Sequence, residues 1–190
     1  MAGENVAGLI FDCDGTLVNT PPIYARAWEK GFAESGVRMP AEWFMARAGM
    51  SDHVLMDAFA SDFKALFDRK SAVRTMRKAF FEDIGALTEI DHVARIARDN
   101  HGRRPMAVAS GGARIIVESC LEATGLIDLF DAIVTIEDVA HPKPAPDLFL
   151  RAAEVMGVSP AECMVFEDTP SGLEAASRAG MRGIDITKFG

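Results

Sequence analysis

Four short clusters hold the residues that could do chemistry: Asp12-Cys13-Asp14-Gly15-Thr16, Ser110-Gly111-Gly112, Pro142-Lys143-Pro144 and Glu167-Asp168. Asp12 and Asp14 lie two apart, so in an extended segment their carboxylates share a face. Gly15 supplies the backbone freedom to turn out of that segment. Like carboxylates in one site push their pKa values apart, so one can attack as a nucleophile while the other carries a proton. Spacing alone does not choose between them. Glu167 and Asp168 add oxygen ligands, and an oxygen-only set with room for water and a phosphate suits Mg²⁺. Lys143, between two prolines that exclude a helix, is a directed point charge. Ser110, followed by two glycines and a helix start, offers a hydroxyl and free backbone N–H groups, which is a phosphate cradle. Together these groups describe phosphoryl transfer through an aspartyl-phosphate.

Each cluster follows an apolar run that reads as a buried strand. Val6–Phe11 precedes Asp12, Met106–Ala109 precedes Ser110, Ala132–Thr135 comes shortly before Lys143, and Cys163–Phe166 precedes Glu167. Arg182–Ile186 reads as a last strand. Helical patterns at Asp91–Asn100, Ala113–Ala123, Pro146–Met156 and Pro170–Ala179 alternate with these runs. Such alternation predicts a Rossmann-like parallel sheet with helices on both faces. In an open sheet of this kind, ligands sit outside the carboxyl ends of the strands.

Between the first strand and the rest, no strand-like run occurs. Thr20-Pro21-Pro22 reads as a helix start, with Thr20 as N-cap, running to about Glu34 and stopping near Gly36. Helical patterns follow at Ala41–Arg47, Asp52–Phe67 and Ser71–Ile84. The expected organisation is an α/β core domain, residues 1–17 and 86–190, interrupted by an all-helical cap, residues 18–85. Phe44, Met45, Met50, Met56, Phe59, Phe63 and Phe67 supply the core of that helical block.

Composition excludes several classes. The net charge is −8 over 190 residues, and no basic run with interleaved aromatics occurs, so a nucleic-acid partner is not expected. No apolar stretch approaches the ~18 residues that span a bilayer, so no membrane association is expected. The first residues lack a basic region before their apolar run, unlike a signal peptide. Cys13, Cys120 and Cys163 form no CxxC pair and read as reduced thiols in a cytoplasmic protein. Cys13 alternates away from its flanking aspartates into the core. The four acidic groups and Lys143 account for −3 of the −8, so a phosphate ester is expected to bind only alongside a divalent cation.

The sequence DCDGTL at 12–17, Ser110, Lys143 within KPAPD, and ED at 167–168 resemble the four motifs of the haloacid dehalogenase superfamily. HGRRPMAVASG, HPKPAPDLFL and VFEDTPSGLEAASRAGM are similar to its sugar-phosphate phosphatases and β-phosphoglucomutases, fructose-1-phosphatases among them. The resemblance implies Asp12 as nucleophile and metal ligand. It implies Asp14 as general acid/base, also binding Mg²⁺ through its backbone carbonyl. Ser110 and Lys143 would hold the phosphoryl group, with Gly111 and Thr16 assisting in loop geometry and phosphate contact. Glu167 and Asp168 would complete the metal site. The expected partner is a small phosphorylated metabolite, and a cap that opens and closes suits a monomer.

The chain departs from the family pattern in the helical block. Asn19-Thr20-Pro21-Pro22 stands where an acidic residue and T-E-P are usual, and Tyr24 stands where relatives often carry His. The mutases follow K-G-V-S-R; here Ala48-Gly49-Met50-Ser51-Asp52 lacks both cations. A mutase must retain a doubly phosphorylated intermediate, so their absence favours hydrolysis, although Arg47 lies one position away and could serve instead. Arg47, Met50 and Tyr24 are the candidate substrate contacts of the cap. A β-phosphoglucomutase is the alternative reading. A receiver-like signalling domain is more remote, since it needs only ~120 residues, carries no cap and places its phosphorylated Asp on the third strand, which here ends in Thr135-Ile136.

Overall fold

The computed structural model describes residues 6–189; expectations that include residues 1–5 or 190 extend beyond these. Five strands form one parallel sheet: β1 (Gly8–Phe11), β2 (Met106–Ala109), β3 (Ala132–Val134), β4 (Cys163–Glu167) and β5 (Arg182–Asp185), in the order β3-β2-β1-β4-β5. The chain therefore builds outward from β1 on one side and then returns to build on the other. Loops leaving β1 and β4 part there, and this is the place where open α/β sheets form their ligand crevice. The register aligns the strand ends, with Phe11 opposite both Val108 and Phe166.

Every residue of β1 and β2 is buried, so both faces of the central sheet are covered and the apolar runs lack alternation. On one face Ile10, Ala107, Ala109 and Val165 pack with Leu148, Phe149 and Ala152 of α7 (Asp147–Met156) and Ala175 and Ala176 of α8 (Pro170–Arg178). On the other, the Phe11 ring stacks on Phe166 at 4.8 Å and meets the edge of Phe130 at 5.6 Å. The parallel sheet and its helices agree with the expected fold class. β1 begins two residues later than the apolar run suggested, at the residue that pairs with Cys163. Cys13, Cys120 and Cys163 are all buried free thiols.

The chain divides into two compact units: the segment ending at Asn19 with everything from Thr88, and Thr20–Leu87. The first division follows Asn19 because its N–H still bonds Thr88 O at 2.9 Å, while Val18 bridges to Glu89. The second unit is helical throughout. Its helices are α1 (Pro21–Gly31), α2 (Ala41–Met45), α3 (Asp52–Phe63) and α4 (Arg69–Glu82). α1 and α4 approach so closely that a Cβ at Gly31 would lie 2.8 Å from Ala72 O, which is why a glycine sits at this helix position. Phe32 stacks on Phe59 at 3.9 Å and on Trp28 at 4.9 Å, and all three are buried.

Helix ends differ from expectation for local reasons. α1 stops at Gly31, and a short 3₁₀ turn, Ala33–Ser35, carries the chain to Gly36, whose φ of 72° closes it. The Thr20 hydroxyl makes no cap bond, because its backbone is already helical at φ −82° and ψ −29°. α3 ends at Phe63 rather than Phe67, since Lys64 turns left-handed at φ 50°. α4 starts at Arg69 because the Asp68 carboxylate accepts from Ser71 N at 2.6 Å. Phe44, Met56 and Phe59 are buried as expected of a helical core, but Met45 and Met50 are about half exposed, at 48% and 47%. The α/β unit's remaining helices are α5 (Asp91–Asn100) and α6 (Arg114–Ala123). No helix among the described residues is long and apolar enough to cross a membrane.

Candidate active site

The strand ends deliver their side chains to one place. Asp12 leaves β1 with its N–H held by Phe166 O at 3.0 Å, and three following amides (Thr16, Leu17 and Val18) bond back to Cys13 O. This turn places Gly15 at φ 81°, a conformation that L side chains rarely adopt. A Cβ there would also lie 2.5 Å from Asp168 Oδ2. Gly15 thus serves both the turn and the space beside Asp168.

Lys143 joins two of the motifs. Its ammonium lies 2.6 Å from Asp12 Oδ1 and 2.7 Å from Glu167 Oε2, and 4.9 Å from the centre of the Phe149 ring. All three charged side chains are nearly withdrawn from solvent, at 12%, 8% and 1% exposure. Burial alone would push the ammonium's pKa down, yet the two carboxylates outweigh it and hold it above its ordinary range. Asp12 shifts well upward, chiefly through burial and then through the neighbouring Glu167 charge, against the pull of Lys143. Glu167 is equally dry but stays below the ordinary range, because Lys143 and the Thr169 donors overcome its burial. Asp168 is pushed up to about 6 by burial and by Glu167.

On the other side of Asp12, Ser110 Oγ lies 3.4 Å from Asp14 Oδ2 and accepts from Gly112 N at 3.0 Å. Ser110 itself is buried, with its N–H on Val134 O. The structure therefore brings together Asp12, Asp14, Ser110, Lys143, Glu167 and Asp168. Thr16, expected near the phosphate, is buried and donates to Asp168 Oδ1 at 2.9 Å. Gly111 is exposed beside Ser110 with nothing within 4 Å of its Cβ position.

The three cap candidates lie in the helical unit. Tyr24 tilts against Phe80 at 4.6 Å. Arg47 stacks over Trp43 at 4.3 Å and donates to Asp62 Oδ2 at 2.9 Å, so its charge is already met. Asp62 Oδ2 also accepts from Trp43 Nε1, which locks the trio. Sequence reasoning missed Phe149, Thr169 and Gly172 as neighbours of the site. Thr169-Pro170 carries a helix-start signature that could have singled out Thr169; nothing in the sequence marks Phe149 as the ring beneath Lys143.

Carboxylate oxygens of Asp12, Glu167 and Asp168 lie within 4.8 Å of one another, a grouping able to hold a metal ion. The donor set is all oxygen, which fits a hard divalent cation such as Mg²⁺. The electrostatics point the same way, since Asp12 and Asp168 are both pushed upward, first by burial and then by the neighbouring Glu167 charge, so that a cation among them would relieve like charges held close together.

A parallel α/β sheet that gathers an acid-rich, lysine-bearing cluster at its strand ends is the architecture of an enzyme that works at the carboxyl edge of its sheet. The model of the haloacid dehalogenase-like hydrolases matches residues 6–180, and the chain belongs to that family, as its motifs led us to expect. The chain is 36% identical over 187 residues to a fructose-1-phosphate phosphatase of Escherichia coli, covering 96% of this chain and 97% of that one. It is 29% identical to hexitol phosphatase A of the same organism, over 94% of this chain and 82% of the other. The fold superposes on the crystal structure of CbbY from Rhodobacter sphaeroides in complex with phosphate, with a TM-score of 0.82 at 24% identity, covering 94% and 84% of the two chains. The family and the two phosphatases support the expected activity, hydrolysis of phosphoric monoesters.

Proposed function

We propose that this protein is a Mg²⁺-dependent phosphatase of a small sugar phosphate such as fructose 1-phosphate, acting through an aspartyl-phosphate. The single observation that carries the reading is the Asp12–Lys143–Glu167 bridge beside Asp14 and Ser110. The identity to a fructose-1-phosphate phosphatase along nearly the whole of both chains supports the choice of substrate. Asp12, Asp168 and Glu167, with the backbone carbonyl of Asp14, would hold the ion. When bound, the ion supplies positive charge that screens the acidic site from the substrate phosphate and stabilises charge in transfer.

Lys143 holds Asp12 Oδ1, so the other oxygen, Oδ2, attacks phosphorus. The P–O bond to the sugar breaks, and its electron pair stays with the sugar oxygen. Asp14, protonated in this step, passes its proton to that oxygen. Ser110 Oγ and Lys143 Nζ hold the phosphoryl oxygens as the bond shifts from sugar to Asp12. Asp14, now a carboxylate, takes a proton from the water that attacks phosphorus, and the acyl–phosphate bond breaks to return the Asp12 carboxylate and free phosphate. We assign Thr20–Leu87 to a cap that excludes bulk water in the first step. A mutase would need a free cation there to retain a second phosphate, and Arg47 is engaged by Asp62.

The test is phosphate release from a panel of phosphorylated metabolites that includes fructose 1-phosphate, with and without Mg²⁺. Hydrolysis should require the ion and be abolished by Asp12→Asn. Full activity in excess EDTA, or an unchanged rate in Asp12→Asn, would overturn the mechanism. Conversion of β-glucose 1-phosphate to glucose 6-phosphate would select the mutase instead.

A further inference from the structure

The roles assigned above leave Thr169 and Gly172, where β4 passes into α8, without a function, although both are packed around Glu167. Both oxygens of that carboxylate are engaged by the protein. Oε1 accepts from Asp168 N at 3.2 Å, Thr169 N at 3.0 Å and Thr169 Oγ1 at 2.8 Å, while Oε2 accepts from Lys143 Nζ at 2.7 Å. Thr169 Oγ1 accepts in turn from Gly172 N at 3.0 Å, and so caps α8. A Cβ built on Gly172 would overlap the Glu167 carboxylate itself. Glycine is disfavoured within a helix relative to alanine, yet here the first turn of α8 has room for Glu167 only because this side chain is absent.

We propose that Thr169 and Gly172 are positioning residues that fix the Glu167 carboxylate and, through it, the Lys143 ammonium against Asp12. A hydroxyl has one proton to give. With its acceptor side facing Gly172 N, Thr169 directs that proton to Oε1. Three donors on one oxygen stop the carboxylate from rotating about its last torsion, so Oε2 faces Lys143. A lysine ammonium sits on a flexible four-carbon stem and does not orient itself. Fixing two of its three N–H bonds, on Asp12 Oδ1 and Glu167 Oε2, aims the third. Gly172 provides the room and the N–H, Thr169 passes the constraint on, and neither touches substrate. The inference rests on the phosphatase reading.

Four proteins decide it: the unaltered chain, Thr169→Ser, Thr169→Val and Gly172→Ala. Hydrolysis of p-nitrophenyl phosphate with Mg²⁺ gives kcat and KM. The ζ-ammonium ¹⁵N–¹H NMR signal of Lys143, recorded without metal or substrate, reports its hydrogen bonds independently of turnover. Thr169→Val should lower kcat about tenfold, the effect of one hydrogen bond to a charged group, with a smaller change in KM. Thr169→Ser, which keeps the hydroxyl, should stay within about twofold of the unaltered chain. Gly172→Ala should lower kcat at least as far as Thr169→Val, against its helix propensity. The Lys143 signal should move in the valine and alanine variants and not in the serine one. An unmoved Lys143 signal with kcat kept in Thr169→Val would overturn the proposal, as would equal losses in the serine and valine variants. Should Thr169→Val fail to fold, the Gly172→Ala signal and rate decide in its place. If no protein, the unaltered chain included, hydrolyses a phosphomonoester, the functional reading fails while the NMR comparison still judges the positioning.

Discussion

Replacing Lys143 with Met removes the ammonium and keeps the length of the stem, so it isolates the charge. In the native protein that charge faces two carboxylates at 2.6 and 2.7 Å. At an effective dielectric of about 20, each contact corresponds to ~6 kcal/mol of Coulomb attraction. Desolvating the three ions takes back several kcal/mol apiece, so the net worth of the bridge is far smaller than the gross attraction. Removing the cation leaves the desolvation of Glu167 and Asp12 uncompensated, an effect of about 3–5 kcal/mol for a broken buried pair. Asp12 can limit this by taking up a proton, because burial already pushes its pKa upward. Lys143→Met should therefore lose about 3–5 kcal/mol of stability at pH 7, and adding Glu167→Gln should recover at least about 1.5 kcal/mol of the summed single losses. The assay is urea unfolding followed by far-UV circular dichroism in EDTA. Tryptophan fluorescence is the wrong probe, since Trp28 and Trp43 both lie in the helical unit. A loss below about 1 kcal/mol, or additivity of the two substitutions within about 0.5 kcal/mol, would refute the view that Lys143 is the electrostatic keystone of the site.

Three further outcomes follow from the structure. Gly15→Ala should cost about 1–2 kcal/mol, for its left-handed backbone, and should weaken Mg²⁺ binding by displacing Asp168; calorimetric titration with the metal alone checks this, and unchanged affinity would count against the site. Arg98, through its hydrogen bonds, holds the Glu89 carboxyl below its ordinary range. A depressed carboxylate stabilises the fold above its unfolded pKa and loses that contribution as pH falls through the folded one. Glu89→Gln should therefore cost up to about 1 kcal/mol at pH 7, limited by solvent screening, and the gap from the native protein should close in acid during urea titrations at pH 7 and pH 3. Phe32→Ala should cost about 3–5 kcal/mol because its ring is buried between Trp28 and Phe59; a loss of tryptophan fluorescence cooperativity at lower urea is the readout, and an unchanged midpoint would contradict the packing.

The α/β order of elements was legible because buried parallel strands and amphipathic helices leave different periodicities. Met106–Ala109 and Asp91–Asn100 appear in the structure with the bounds their patterns suggested. Helix ends were less legible where a single residue's backbone decided them, as with Lys64 in α3. Asp12, Asp14, Ser110, Lys143 and Glu167-Asp168 were legible as a set because each follows an apolar run. Strand ends in a parallel sheet are forced to the same edge by the hydrogen-bond register.

Residue type and order thus settled which groups could meet and what chemistry they could share. They could not settle who holds whom. Thr16 was expected to assist in loop geometry and phosphate contact, and the fold adds a partner that no spacing named, giving its hydroxyl to Asp168. Arg47 was a candidate free cation until folding set it on Trp43 and Asp62, fifteen residues further along the chain. Lys143 met Asp12 across 131 positions, and the space for Glu167 came from a missing side chain at Gly172. Charge pairing and close approach depend on distances of a few ångströms between segments remote in sequence. No local pattern encodes such distances, and only the packed sheet and helices create them.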